Sequence, residues 1–176
     1  ARRQRQMCIR DRSGSGYYDS KTSDIAVGCY HLQLPQTYAT FEEASAAAAQ
    51  YSDGFPAWID GRYYVRVGAY LDSTSAQAAQ ASLGLTGATV AGTSGAGISV
   101  VKTGTNTVLF QFDSTSGLYL AVKPGRDDTV KAETYFRGYS YFGAFEYRRN
   151  GGDITVVNVL SMDDYLPVSY THLRAH

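Results

Sequence analysis

Two helix-opening signatures punctuate the first half of the chain and restrict what it can become. Thr40 is followed by Glu43, and Thr74 by Gln77. At that spacing a hydroxyl and an acid or amide three residues on satisfy the first unpaired N–H groups of a helix. The alanine-rich run after Thr40 is a good helix former as far as Tyr51, and Asp53-Gly54 ends it. The second helix runs from Thr74 to about Leu83, with Gly84 as its stop. Strand patterns occupy residues 27–34, 55–59, 63–70 and 88–91. The middle two are joined across Asp60-Gly61-Arg62, a Gly-containing hairpin loop. The order over residues 25–93 is β-α-β-β-α-β, an α+β arrangement. It predicts a four-stranded antiparallel sheet with two helices on one face and the second face open.

The second half alternates almost throughout. Strands are expected at residues 98–102 and 107–112 around the turn cluster 103–106, and at 118–122 after Ser116-Gly117. Pro124-Gly125 closes that strand. Further strands follow at 139–147 and, after the turn at 149–152, at 154–160. Ser161 followed by Asp164 is another helix-opening pair.

FPAWIDGRYYVRVGAY (55–70) followed by STSAQAAQASLG (73–84) resembles the SPOR domain. The likeness covers about 70 residues. It is weaker at the first strand, where Leu34-Pro35-Gln36 replaces the usual ending. It implies binding of peptidoglycan glycan strands stripped of their stem peptides. YFRG (135–138) and VVNVLSMDDYL (156–166) resemble the start of the SpoIID/LytB family, the stage II sporulation protein D and amidase-enhancer relatives. In that family the strand leads into a helix whose glutamate cleaves glycan strands. The domains implied are a SPOR-like module at 25–93 and the first, truncated part of a SpoIID-like domain at 96–167. RRQRQMCIRDR and VSYTHLRAH resemble translated sequencing adapter, so residues 1–12 and 168–176 are read as non-native.

Those ends hold six of the 16 basic residues but one of the 16 acidic ones, leaving 10 basic and 15 acidic residues inside, a net charge of −5. An acidic interior argues against a nucleic-acid partner. The same interior keeps one histidine, His31, and one cysteine, Cys29, too few for a structural zinc site or an internal disulfide. Cys29 is expected as a small buried hydrophobe. No run of about 20 apolar residues would span a membrane. No cofactor or metal is expected. The resemblances imply an extracytoplasmic setting at the cell wall, linked to sporulation, with other cell-wall or sporulation proteins as further partners.

With a three-residue hairpin loop, Phe55, Ala57, Ile59, Tyr63, Val65 and Val67 share the helix-facing side. Trp58, Tyr64 and Arg66 then share the open side, with Gln33 or His31 arriving from the first strand. Flat aromatic surface suits the C–H faces of a sugar ring, and Arg and Gln donate to its oxygens. Gln33, Trp58, Tyr64 and Arg66 are therefore the expected glycan-binding residues. A two-residue turn would slip the register and bury Trp58 instead.

Glycosidic cleavage requires a carboxylic acid held protonated. The family's glutamate has no counterpart at any position here, so no residue is assigned as catalytic and the fragment is expected to bind rather than cut. Asp163 and Asp164 read as helix-start acids, Glu146 as a solvent-facing strand residue and Arg148-Arg149 as a solvated corner. Tyr139, Tyr141 and Tyr147 suit sheet packing more than a sugar cleft. The apolar alternates of 154–160 are expected to face water. Rival functions are a ligand-free structural or assembly module and an RNA-binding sheet, the latter disfavoured by charge.

Overall fold

The computed structural model describes residues 7–9, 17–19, 22–102, 105–123, 134–136, 139–150 and 153–160. The helix opening expected at Ser161, the turn at Pro124-Gly125, residues 137–138 and 151–152, and most of both adapter-like ends lie outside these residues. The chain is mixed α and β, mostly strand, and divides into two compact units near residue 118.

In the first unit the strands are β1 (Met7–Ile9), β2 (Tyr17–Asp19), β3 (Thr22–Val27), β4 (Tyr30–Tyr38), β5 (Gly54–Ile59), β6 (Arg62–Tyr70), β7 (Thr89–Gly92), β8 (Ile98–Val101) and β9 (Val108–Asp113). The helices are α1 (Phe41–Ala48) and α2 (Ser73–Ser82). α1 opens as the sequence predicts: Thr40 Oγ1 accepts from the Glu43 N–H at 3.2 Å, and the Glu43 carboxylate reaches back to the Thr40 N–H at 3.4 Å. α2 does not. Its cap is Asp72, whose carboxylate accepts from the Ser75 N–H at 2.7 Å, so the helix begins ahead of the Thr74–Gln77 pair. An ionised acceptor two residues before Thr74 is the stronger partner for the helix's orphan donors.

The expected four-stranded sheet is larger than predicted. β5-β6-β4-β7 are contiguous, but three more strands extend the β5 edge, giving the order β1-β8-β9-β5-β6-β4-β7. β9 joins β5 in parallel, with Trp58 opposite Phe112. Residues 98–113 thus belong to the first sheet, and the boundary expected at 93–96 falls instead near 118. Met7–Ile9, read from the sequence as non-native, pairs with β8. β2 and β3 form a separate hairpin.

Both faces of the large sheet carry buried side chains, so its second face is not the open surface expected. On the near face Leu32, Val65 and Val67 pack with Ala48 of α1 and with Ala76 and Ala88. On the far face Phe55, Ala57, Val27, Cys29, Val101 and Val108 make a second cluster, where Cys29 is fully buried as expected. The sheet bends enough for the segment after β7 to meet β9: the Ser94 N–H donates to the Asp113 carboxylate at 2.9 Å, and the Ser94 hydroxyl bonds the same group.

The second unit contains β10 (Leu120–Val122), β13 (Ala144–Asn150) and β14 (Asp153–Val159) in one sheet, and β11 (Thr134–Phe136) with β12 (Tyr139–Tyr141) in another. Phe145 is buried against the Tyr141 ring. The Asn158 amide donates to the carbonyls of Phe142 and Ala144 at 2.9 and 3.2 Å. Glu146, expected to face solvent, is mostly covered and bonds Arg148, which also lies over the Tyr119 ring. On β14, Val156 and Val159 are 37% and 44% exposed, so apolar surface does face water there, though not at the strictly alternate positions expected.

Candidate glycan-binding surface

The β5–β6 turn decides which side chains stand together. Ile59 pairs directly with Arg62, leaving Asp60 and Gly61 as a two-residue turn. Their φ angles of 44° and 92° are both positive, the type I′ geometry that Asp-Gly favours because glycine carries no Cβ to clash. Asp60 is also fixed from outside. Its carboxylate accepts from the Thr115 N–H and hydroxyl, each at 2.8 Å. Those bonds hold it below the usual carboxylate range.

With that register the faces are the reverse of the expected ones on β5. Trp58 lies opposite Tyr63, and Pro56 opposite Val65, so the indole stands on the near face with Val65 and Val67. Phe55 and Ala57 lie opposite Arg66 and Tyr64 on the far face. The structure brings Gln33, Tyr64 and Arg66 to one face and separates Trp58 from them. The expected platform of Trp58, Tyr64 and Arg66 is corrected accordingly.

Arg66, moreover, is 3% exposed. Its Nε and Nη2 both donate to Gln33 Oε1, at 3.0 and 2.8 Å, and its Nη1 donates to Gln111 Oε1. The Gln111 amide donates onward to Thr93 Oγ1 and Ser99 Oγ, each at 2.9 Å, and meets His31 Nε2 at 3.0 Å. His31 Nδ1 donates to the Gly68 carbonyl at 2.8 Å, which leaves Nε2 as an acceptor. Burial first, then the Arg66 charge, lowers His31 to a pKa of about 3, so its ring is neutral at neutral pH. The ring also stands edge-on to Phe55 at 5.2 Å. Gln33 and Arg66 are therefore members of an internal polar network, and Tyr64 is half-buried beside it.

Trp58 belongs to a different set. Its cross-strand neighbours are Phe112 on β9 and Tyr63 on β6, and Tyr63 in turn faces Tyr38 on β4. One aromatic residue on each of four adjacent strands thus makes a row across the sheet. The Trp58 and Phe112 rings are parallel, 5.0 Å apart. Phe41, first residue of α1, stands edge-on to Tyr63 at 6.3 Å and to Phe110 at 5.8 Å. Phe112 is buried, Tyr38, Trp58 and Tyr63 are half-buried, and Phe41 is 41% exposed. The row lies where the helix layer begins and is reachable from solvent.

Sequence reasoning missed Tyr38, Tyr63 and Phe112 as companions of Trp58. The signal that could have found Tyr63 was Asp60-Gly61, the strongest short hairpin signal. Nothing local announces Phe112, because its pairing is parallel and more than fifty residues distant. Among the described residues no group of three His, Cys, Asp or Glu side chains could hold a metal ion, and no helix is long and apolar enough to cross a membrane. Compared with protein families, curated proteins and solved structures, the chain matches none of them.

Proposed function

We propose that this chain is a non-catalytic cell-wall module that holds naked peptidoglycan glycan strands outside the cytoplasm. In this reading residues 25–93 are SPOR-like and the residues after 118 open a SpoIID-like segment. The parent is then a lytic transglycosylase or amidase enhancer associated with sporulation. The carrying observation is the aromatic row Tyr38, Tyr63, Trp58 and Phe112. Strands spaced about 4.8 Å apart give such a row a length of roughly 14 Å. A linear polymer of pyranose rings presents C–H faces in succession, and a line of half-open aromatic rings is apolar and flat enough to receive them. Four contiguous strands, β5-β6-β4-β7, with two helices on one face support the SPOR-like reading, although three further strands and a covered second face depart from the four-stranded sheet it implies. Of the residues first assigned, Trp58 stays in the binding surface. Gln33, Tyr64 and Arg66 support the sheet from its other side.

The test is retention of the full chain by purified denuded glycan strands. Retention is expected there and not on intact, peptide-bearing sacculi. Trp58→Ala is expected to reduce it roughly tenfold, the worth of a stacked aromatic contact. Equal retention on both materials, or on neither, defeats the binding claim.

A second reading, a structural assembly module without a ligand, draws on a separate observation. The far face, where a SPOR-like platform was expected, is filled by the chain's own apolar side chains, Phe55, Val101 and Val108 among them, and by the Arg66–Gln111–His31 network. A folded chain that no glycan retains would favour it.

A further inference from the structure

At the opposite end of β5 from the aromatic row, a cavity of about 170 Å³ opens where the hairpin strands part. Asp53, Phe55, Gly68, Tyr70, Asn106 and Thr107 line it. Its floor is apolar, since Phe55 and the neighbouring Val108 and Ala69 belong to the far-face cluster. Its rim is polar. Asp53 sits at φ 57°, and its carbonyl accepts from the Gly68 N–H at 3.0 Å, so the turn presenting its carboxylate is fixed. The side chain of Tyr70 folds over Gly68, within 2.5 Å of where a Cβ would stand, so only glycine leaves it that space. The Asp53 carboxylate, the Asn106 amide and the Thr107 hydroxyl accept or donate no hydrogen bond among the described residues. Burial, then the charge of Asp53, raises the Tyr70 phenol above its ordinary range.

That inventory selects a ligand class. One carboxylate repels anions, yet it is too little for a divalent cation, which takes six or more oxygen ligands. Carboxylate, amide, hydroxyl and phenol together match a molecule whose groups both donate and accept, and the half-buried Tyr70 ring at the rim matches a C–H face. At about 30 Å³ per water the space holds on the order of five or six waters, the room of one ring and not of a drug-sized ligand. We propose that this cavity binds a single neutral sugar ring. It is separate from the aromatic row and does not depend on glycan-strand binding there.

The test is an amide-resolved NMR titration of the full chain with N-acetylglucosamine, with glucose, and with calcium chloride. A sugar is expected to give saturable shifts at Asp53, Ala69, Asn106 and Thr107. Asn106→Ala and Asp53→Asn, which keeps the turn, should each weaken the titration roughly tenfold. Trp58→Ala should leave it unchanged while lowering glycan-strand retention, so the two proposals fail separately. No saturable shift with either sugar overturns the inference. So do shifts unaltered in both cavity variants, or a response confined to calcium. Should Asp53→Asn unfold the chain, Asn106→Ala in its exposed loop decides.

Discussion

On the far face of the large sheet the Arg66 guanidinium, the His31 imidazole and the Gln111 carboxamide are shut away from water, and the Gln33 carboxamide is half-buried beside them. On the near face an aromatic row reaches the surface. Ordinary expectation runs the other way, with charge outside and rings inside. The far face tolerates its polar groups because they satisfy one another: Arg66 gives three N–H donors to two glutamine oxygens, and Gln111 passes the chain on to Thr93, Ser99 and His31. Arg66, Gln111 and His31 are buried and committed to one another, so this part of the far face acts as scaffold. The near face has the reverse character: beside its helix-packed apolar core, the half-buried rings of Tyr38, Tyr63 and Trp58 leave part of their surface accessible. Polarity marks scaffold here, and apolarity marks the candidate site.

The largest expected effect comes from opening the network. Arg66→Ala should cost about 3–5 kcal/mol in urea unfolding of the full chain, because buried acceptors lose their charged donor. A cost under about 1 kcal/mol would mean that the far face is solvated and the contrast false.

Acid should attack the same face. His31 is neutral in the folded chain down to about pH 3, whereas an unfolded histidine takes up its proton near 6.5. Between those values the unfolded state binds more protons, so stability is fully present above pH 6.5 and falls as pH drops toward 3. The slope approaches about 1.4 kcal/mol per pH unit. Denaturant midpoints measured across that window should lose this component in His31→Gln.

The turn joins the two faces, so Gly61→Val tests both at once. A branched side chain at φ 92° should cost about 1–3 kcal/mol. It should also lower glycan retention by disturbing the register that sets Trp58 beside Tyr63. Lost stability with full retention would detach the aromatic row from function.

Thr40→Ala should have the smallest effect, about 1 kcal/mol for the lost cap. Because Phe41 follows directly, the row should become more mobile there while the network stays intact, visible as faster exchange at the Phe41 and Glu43 amides alone.

Much of the near face was legible from the residues. The Thr40–Glu43 box, the Gly84 stop and the four strand patterns from β4 to β7 each carry a local signal. Three things were not legible. The hairpin register turned on whether Arg62 belonged to the loop or the strand, and one residue reverses every side chain. The second helix is opened by the carboxylate of Asp72, ahead of the Thr74–Gln77 pair that the capping-box pattern picks out. Gln111 sits between Phe110 and Phe112, so alternation assigns it to the side away from the rings. In a two-layer domain that side would be solvent. It becomes interior only because β9 lies beside β5, and no local pattern encodes that pairing.

The parallel seam between β5 and β9 has a consequence during synthesis. A ribosome that has delivered residues as far as Gly92, but not Asp113, has released every strand of β5-β6-β4-β7 while the outer edge of β5 still lacks its neighbour. For that interval the Ala57-Trp58-Ile59 backbone is an unprotected template for a strand from another nascent copy. Twenty-one more residues of translation close it, so slow elongation through this stretch lengthens the time in which two chains can exchange β9.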